Sequence, residues 1–266
     1  MDQFNGSIVE VMSKSRFTYG KFAASALIAA LAGDASALPV AEGVGGTSPH
    51  AAPAVRLAQT APSPEERNKY QGLHAAAARG DIAALRRFIA AKADLNARDC
   101  HGRTALMVAA HRRDLKAADL LMKAGADVNA LDVESYDVLT IASVLNDLAM
   151  VRLAIASGAD AGLITSPYEG TALIAAAHLG HAGVVRALIA AKAPLDHVNN
   201  LGWTALIESI VLGDGGPNHV ATLRALVDGG ADVNLADATG VKPLTLASQR
   251  GHAAQARILE KAGAKP

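Results

Sequence analysis

Six leucines, Leu73, Leu106, Leu139, Leu173, Leu206 and Leu244, recur at intervals of 33, 33, 34, 33 and 38 residues, each inside a near-copy of one stretch. The most regular copy spans residues 99–129, DCHGRTALMVAAHRRDLKAADLLMKAGADVN. It reads as a turn at Gly102, a helix opening at Thr104, a second apolar helix through Leu120 and Leu121, and a closing Gly125 to Asn129. A unit of about 33 residues made of a turn and two short helices cannot bury its apolar face alone, so successive copies must stack. The expectation is an all-α solenoid of six helix-turn-helix repeats joined by short β-turn or hairpin connections, with repeats at about 64–98, 99–131, 132–164, 165–198, 199–236 and 237–266.

Composition agrees with thin helices packed by small side chains. Hydrophobic residues make up 51% of the chain but aromatics only 3%, so Ala, Leu, Ile and Val supply the apolar content. Lys plus Arg and Asp plus Glu each number 25, and no local basic run supplies the surface that a nucleic-acid binder needs to displace counterions. A single cysteine, Cys100, excludes an internal disulfide. No G-x-S-x-G, H-E-x-x-H or P-loop pattern occurs, which argues against an enzyme, and no cofactor is expected.

The first 37 residues read as an export signal. Lys14, Arg16 and Lys21 precede an apolar run of 12 residues, Phe22 to Gly33, and Ala35-Ser36-Ala37 offers the small side chains of a cleavage site at Ala37. The run is shorter than the roughly 20 apolar residues of a spanning helix. The start of translation at Met12 would shorten the leader to a more ordinary form. A core helix is the alternative for this stretch. Cleavage would leave a neutral mature chain without a transmembrane segment, in the periplasm or secreted. Residues 38–62, with Pro39, Pro49, Pro53 and Pro62 among Ala, Gly and Ser, read as a flexible linker. Order is expected to begin at Ser63-Pro64-Glu65-Glu66, a capping box opening a helix that runs through Tyr70 to about Ala78.

The repeats resemble the ankyrin repeat, whose pattern includes G-x-T-P-L-H-x-A-A, G-H, V-V, L-L and G-A-D-V-N. The residues that carry the resemblance are Gly102-Arg103-Thr104-Ala105-Leu106, Gly170-Thr171-Ala172-Leu173, Gly180-His181, Val184-Val185 and Gly230-Ala231-Asp232-Val233-Asn234. By themselves, Thr104, Thr171 and Thr204 suit helix N-caps, and Gly125, Gly158, Gly230 and Gly263 suit left-handed helix ends. The resemblance implies a non-enzymatic scaffold or modulator that holds another protein on its concave face, formed by turn tips and first helices.

Carried over position by position, that face includes His101, Arg103, His111, Arg112, Tyr136, Val144, Leu145, Tyr168, His178, Leu179, Trp203, Val211 and Leu212. Val144-Leu145, Leu179 and Val211-Leu212 are expected to form an exposed apolar stripe flanked by Tyr136, Tyr168 and Trp203. Packing of these residues against the widened connection 213–219 is the alternative. Arg103, His111 and Arg112 would make a mildly basic end of the groove. A different class of function, a small-ligand or metal-binding protein or an enzyme, would use the histidines, including His178-x-x-His181, and the glycine-rich loop 213–219. Cys100 at a turn tip is expected to be accessible, which leaves a redox role open.

Overall fold

The computed structural model describes residues 61–266. The expected leader, its cleavage point at Ala37 and nearly all of the linker lie outside the described residues.

The described chain is helical throughout, in the order α1 (Pro64–Lys69), α2 (Gly72–Arg79), α3 (Ile82–Ala90), α4 (Ala105–His111), α5 (Leu115–Lys123), α6 (Val138–Val144), α7 (Leu148–Ala156), α8 (Ala172–His178), α9 (Ala182–Ala190), α10 (Ala205–Val211), α11 (Pro217–Asp228), α12 (Pro243–Gln249) and α13 (Ala253–Lys261). Two layers result. The inner layer stacks α2, α4, α6, α8, α10 and α12 side by side, and the outer layer stacks α3, α5, α7, α9, α11 and α13. Each inner helix also packs on the outer helix that follows it.

Local chemistry explains the boundaries. The hydroxyls of Thr104, Thr171 and Thr204 accept hydrogen bonds from the N–H groups of Met107, Ile174 and Ile207, and Asp137 does the same for Thr140 in the third repeat. Each satisfies a donor that the helix start would otherwise orphan. The outer helices end at Gly125, Gly158, Gly230 and Gly263, all at positive φ, as read from the sequence. Ala109, Ala110, Ala142, Ala176 and Ala177 are fully buried, and their small side chains let the inner helices approach closely. Between them the repeating leucines fill the core: Leu106, Leu139, Leu173 and Leu206 are buried, and Leu73 and Leu244 at the two ends are only slightly less so.

The first helix departs from expectation. Ser63 and Glu66 do form the capping box, with Ser63 N–H donating to Glu66 Oε2 at 2.6 Å. The helix nevertheless stops at Lys69, and extended backbone at Tyr70 separates it from α2. The break frees Tyr70 to donate its hydroxyl to Asp99 Oδ2 at 2.6 Å, tying α1 to the following repeat.

Candidate functional site: the concave cleft of repeats three to five

Turn tips project from the inner layer, each closed by a backbone bond across its base: Asp99 to Arg103, Asp132 to Tyr136, Thr165 to Gly170, Asn199 to Trp203 and Asp237 to Val241. In most tips a side-chain oxygen at the first position accepts further N–H groups. Asp132 Oδ1, for example, takes those of Glu134 and Tyr136, both at 2.9 Å. Neighbouring tips are joined through Val133 N–H to the His101 carbonyl, Ser166 N–H to the Ser135 carbonyl and Asn200 N–H to the Tyr168 carbonyl. The fourth repeat's tip is one residue longer, which carries Tyr168 out on a loop with Ser166 and Glu169 at positive φ.

Behind these tips, where α6, α8 and α10 lie side by side, a cleft encloses about 510 Å³ of empty space, its open mouth included. Tyr136 and Tyr168 line its tip side, and Val144, Ile174, Leu201 and Leu212 supply apolar walls. Its polar lining includes Thr140, Thr165, His178, Asn199 and Glu208. Glu208 is buried; its Oε1 accepts from Asn199 Nδ2 at 2.8 Å and its Oε2 lies 3.2 Å from His178 Nδ1. Thr140 donates its hydroxyl to Thr165 at 2.9 Å, closing the opposite side. Burial pushes the Tyr136 phenol well above its usual range, and the neighbouring Tyr168, Asp132 and Glu134 add to the rise.

Of the thirteen residues read from the sequence, the cleft brings together Tyr136, Val144, Tyr168, His178 and Leu212. The exposed apolar stripe does not form. Val144 and Val211 are buried, and Leu145, Leu179 and Leu212 are half-buried against the core. These positions sit at the ends of α6, α8 and α10, and the close stacking of the inner helices turns them toward their neighbours. Trp203 is likewise buried at its tip instead of flanking a groove.

The basic end of the groove is also corrected. Arg103 has no exposed surface: its Nε donates to Asp99 Oδ2 at 2.7 Å and its Nη2 to Glu66 Oε1 at 2.6 Å. Its charge is spent inside the fold, and it cements α1 to the second repeat. Although burial opposes it, bonds from the Ser63 N–H and from Arg103 hold the Glu66 carboxyl below its ordinary range. His101 Nδ1 lies 2.9 Å from the same Glu66 oxygen, His111 is half-buried at the end of α4, and Arg112 is exposed just after it.

Among the described residues the histidines do not converge on one centre. His178 closes α8 beside Glu208, whereas His181 starts α9 and donates Nδ1–H to the Ser143 carbonyl at 2.9 Å. Burial pushes the His181 ring below its usual pKa. His219 donates Nε2–H to the His178 carbonyl at 2.8 Å, while its Nδ1 lies 2.7 Å from Asp214 Oδ1. The widened connection wraps these rings: a Cβ on Gly215, at φ +68°, would lie 2.5 Å from the His252 imidazole. Gly213 and Gly215 therefore allow close packing against the His219 and His252 rings. Cys100 is exposed, and Glu66, Cys100 and His101 place a carboxylate oxygen, a thiol and a ring nitrogen within 4.8 Å of one another. The Arg103 guanidinium, 3.1 Å from His101 Nδ1 and bonded to Glu66, already puts a positive charge where a metal ion would add a second.

Glu208, Asn199, Thr140 and Thr165 are cleft residues that reading the sequence missed. A signal existed for one of them: in register, Glu208 falls where other inner helices carry Val108, Ile141, Ala175 and Leu246.

Comparison with known proteins places this geometry in context. The family model described as ankyrin repeats (3 copies) matches residues 50–132 and 139–237. The ankyrin repeat protein YahD of Escherichia coli (strain K12) is 39% identical over 98 residues, which cover 36% of this chain and 49% of that relative. The chain thus spans about half the length of the curated relative it matches. An ankyrin repeat domain from Acinetobacter baumannii AYE superposes with a TM-score of 0.70 at 44% identity, covering 73% of this chain and 98% of that one. A chain from the complex of the predatory endopeptidase Bd0816 of Bdellovibrio bacteriovorus with the immunity protein Bd3460 superposes with a TM-score of 0.61 at 26% identity, covering 72% and 98%.

Proposed function

The chain belongs to the ankyrin repeat family, and from that premise we propose that it is a non-enzymatic module holding a partner protein on the concave face of repeats three to five. The observation that carries this reading is the cleft itself, a recess with tyrosines on its tip side, aliphatic walls and a hydrogen-bonded polar floor. Aromatic and aliphatic anchors around a desolvated centre are the arrangement that concentrates binding energy in protein interfaces. Similarity to a chain from an endopeptidase–immunity protein complex supports a protein as the ligand. The work of the module is recognition, and its specificity comes from the departures of the third, fourth and fifth repeats from the common pattern.

The partner belongs to an exported compartment in this reading, motivated by the basic, apolar and small-residue succession of residues 14–37. Photo-crosslinking in the native cell tests both points. A benzophenone side chain at position 168 should capture a defined protein in the exported fraction, and one at the exposed Arg152 on the outer layer should not. Equal capture from both positions, or none from 168, would count against the concave face. Recovery of the chain in the cytoplasm with residues 1–37 intact would remove the compartment.

A further inference from the structure

The floor of the cleft holds a carboxylate, Glu208, at a position that is apolar elsewhere in the stack. In all five other repeats the position of Glu208 is apolar, occupied by Ala75, Val108, Ile141, Ala175 and Leu246. A carboxylate in an apolar recess is unfavourable unless something offsets its charge. Here the side chains bonded to it are an amide and an imidazole, Asn199 Nδ2 and His178 Nδ1. Two donors leave part of a carboxylate's acceptor capacity unused, since its two oxygens offer about four sites.

The surroundings have the same sign. Among the described residues, no Lys or Arg lines the cleft. The three tips over it, residues 132–136, 165–170 and 199–203, carry Asp132, Glu134 and Glu169 and no basic residue. Tyr136 and Tyr168 add ring faces, which attract cations. The aliphatic walls suit the methylene stem of a long basic side chain, whose head would reach inward to the carboxylate.

We infer that the cleft receives a lysine or arginine side chain of the partner protein, its charged head paired with Glu208 and its stem packed on Val144, Ile174 and Leu212. This rests on the concave face being the partner surface and adds what the partner must present to it. The partner segment therefore carries an exposed basic residue, and a neutral isostere at that point will not substitute.

A random peptide library displayed on phage and panned against the full chain provides the test. Enriched peptides should share a Lys or Arg, and replacing that residue by Met should weaken binding about ten-fold or more. Glu208→Gln, which keeps the shape of the side chain, should cost a similar factor, and the two changes together should cost little more than either. Binding to the unaltered protein should also weaken with rising salt, a readout that does not depend on the variant folding. Cleft-bound peptides without a basic residue, or basic peptides indifferent to both Glu208→Gln and salt, overturn the inference and leave the concave-face reading standing. Enriched peptides whose photo-crosslinks map to the outer helices overturn both, and failure to enrich any cleft binder overturns the inference.

Discussion

Asp137 caps α6 with Oδ1, 2.7 Å from the Thr140 N–H, while its Oδ2 is buried with no hydrogen-bond partner among the described residues. Burial pushes its carboxyl up to about 6 from an ordinary 3.8, against the pull of its bonds to Thr140. The folded protein therefore holds this proton more tightly than the unfolded chain. The associated stability is fully present below about pH 4, is lost as pH rises through about 6, and stays lost above it. Thr104, Thr171 and Thr204 fill the same cap position without a charge. Asp137→Thr should raise the unfolding free energy by about 2 kcal/mol at neutral pH and change it little near pH 4. Urea melts at the two pH values check this, and an equal effect at both would show that the charge is not the cause.

Among the elements, the loops after the outer helices are joined by a second ladder. Asn96, Asn129, Asp196 and Asn234 each accept, through Oδ1, the backbone N–H of Asp127, Asp160, Asp232 and Lys265 in the next repeat, at 2.8–2.9 Å. The third and fourth repeats lack this rung, and the reason lies on both sides. Gly162 has no acceptor, and Pro194 has no N–H to donate. Each substitution removes the need for the other's group, so neither leaves a polar group stranded. Gly162→Asn together with Pro194→Asp should restore the rung, whereas either alone should not. A double-mutant cycle should show a favourable coupling of about 1 kcal/mol, and strict additivity would mean that the loops do not meet in this geometry.

In the whole molecule, stability passes through contacts between adjacent repeats, because among the described residues the main helix–helix contacts join elements of the same or neighbouring repeats. Leu173 is enclosed by helices from both neighbouring repeats, while Leu244 lies in the last inner helix, which has an inner-layer neighbour on one side only. Leu173→Ser should cost about 4 kcal/mol and split the stack in its middle, and Leu244→Ser about 2 kcal/mol with fraying confined to the end. Hydrogen exchange resolved along the chain distinguishes the two, and identical global losses would indicate one undivided cooperative unit.

The order of helices, their caps and the leucine core were legible without coordinates because each is set within one repeat. A threonine before an apolar run, a glycine after one and a 33-residue spacing act through neighbours close in sequence. The face that each side chain presents was decided by stacking. Val144 and Trp203 look exposed on a single repeat and become buried only when the next one arrives, and Arg103 is taken up by carboxylates 4 and 37 residues away. Glu208 illustrates both levels. Its oddness shows in the aligned repeats, yet only the assembled stack brings it against His178, 30 residues earlier, at the floor of a cleft.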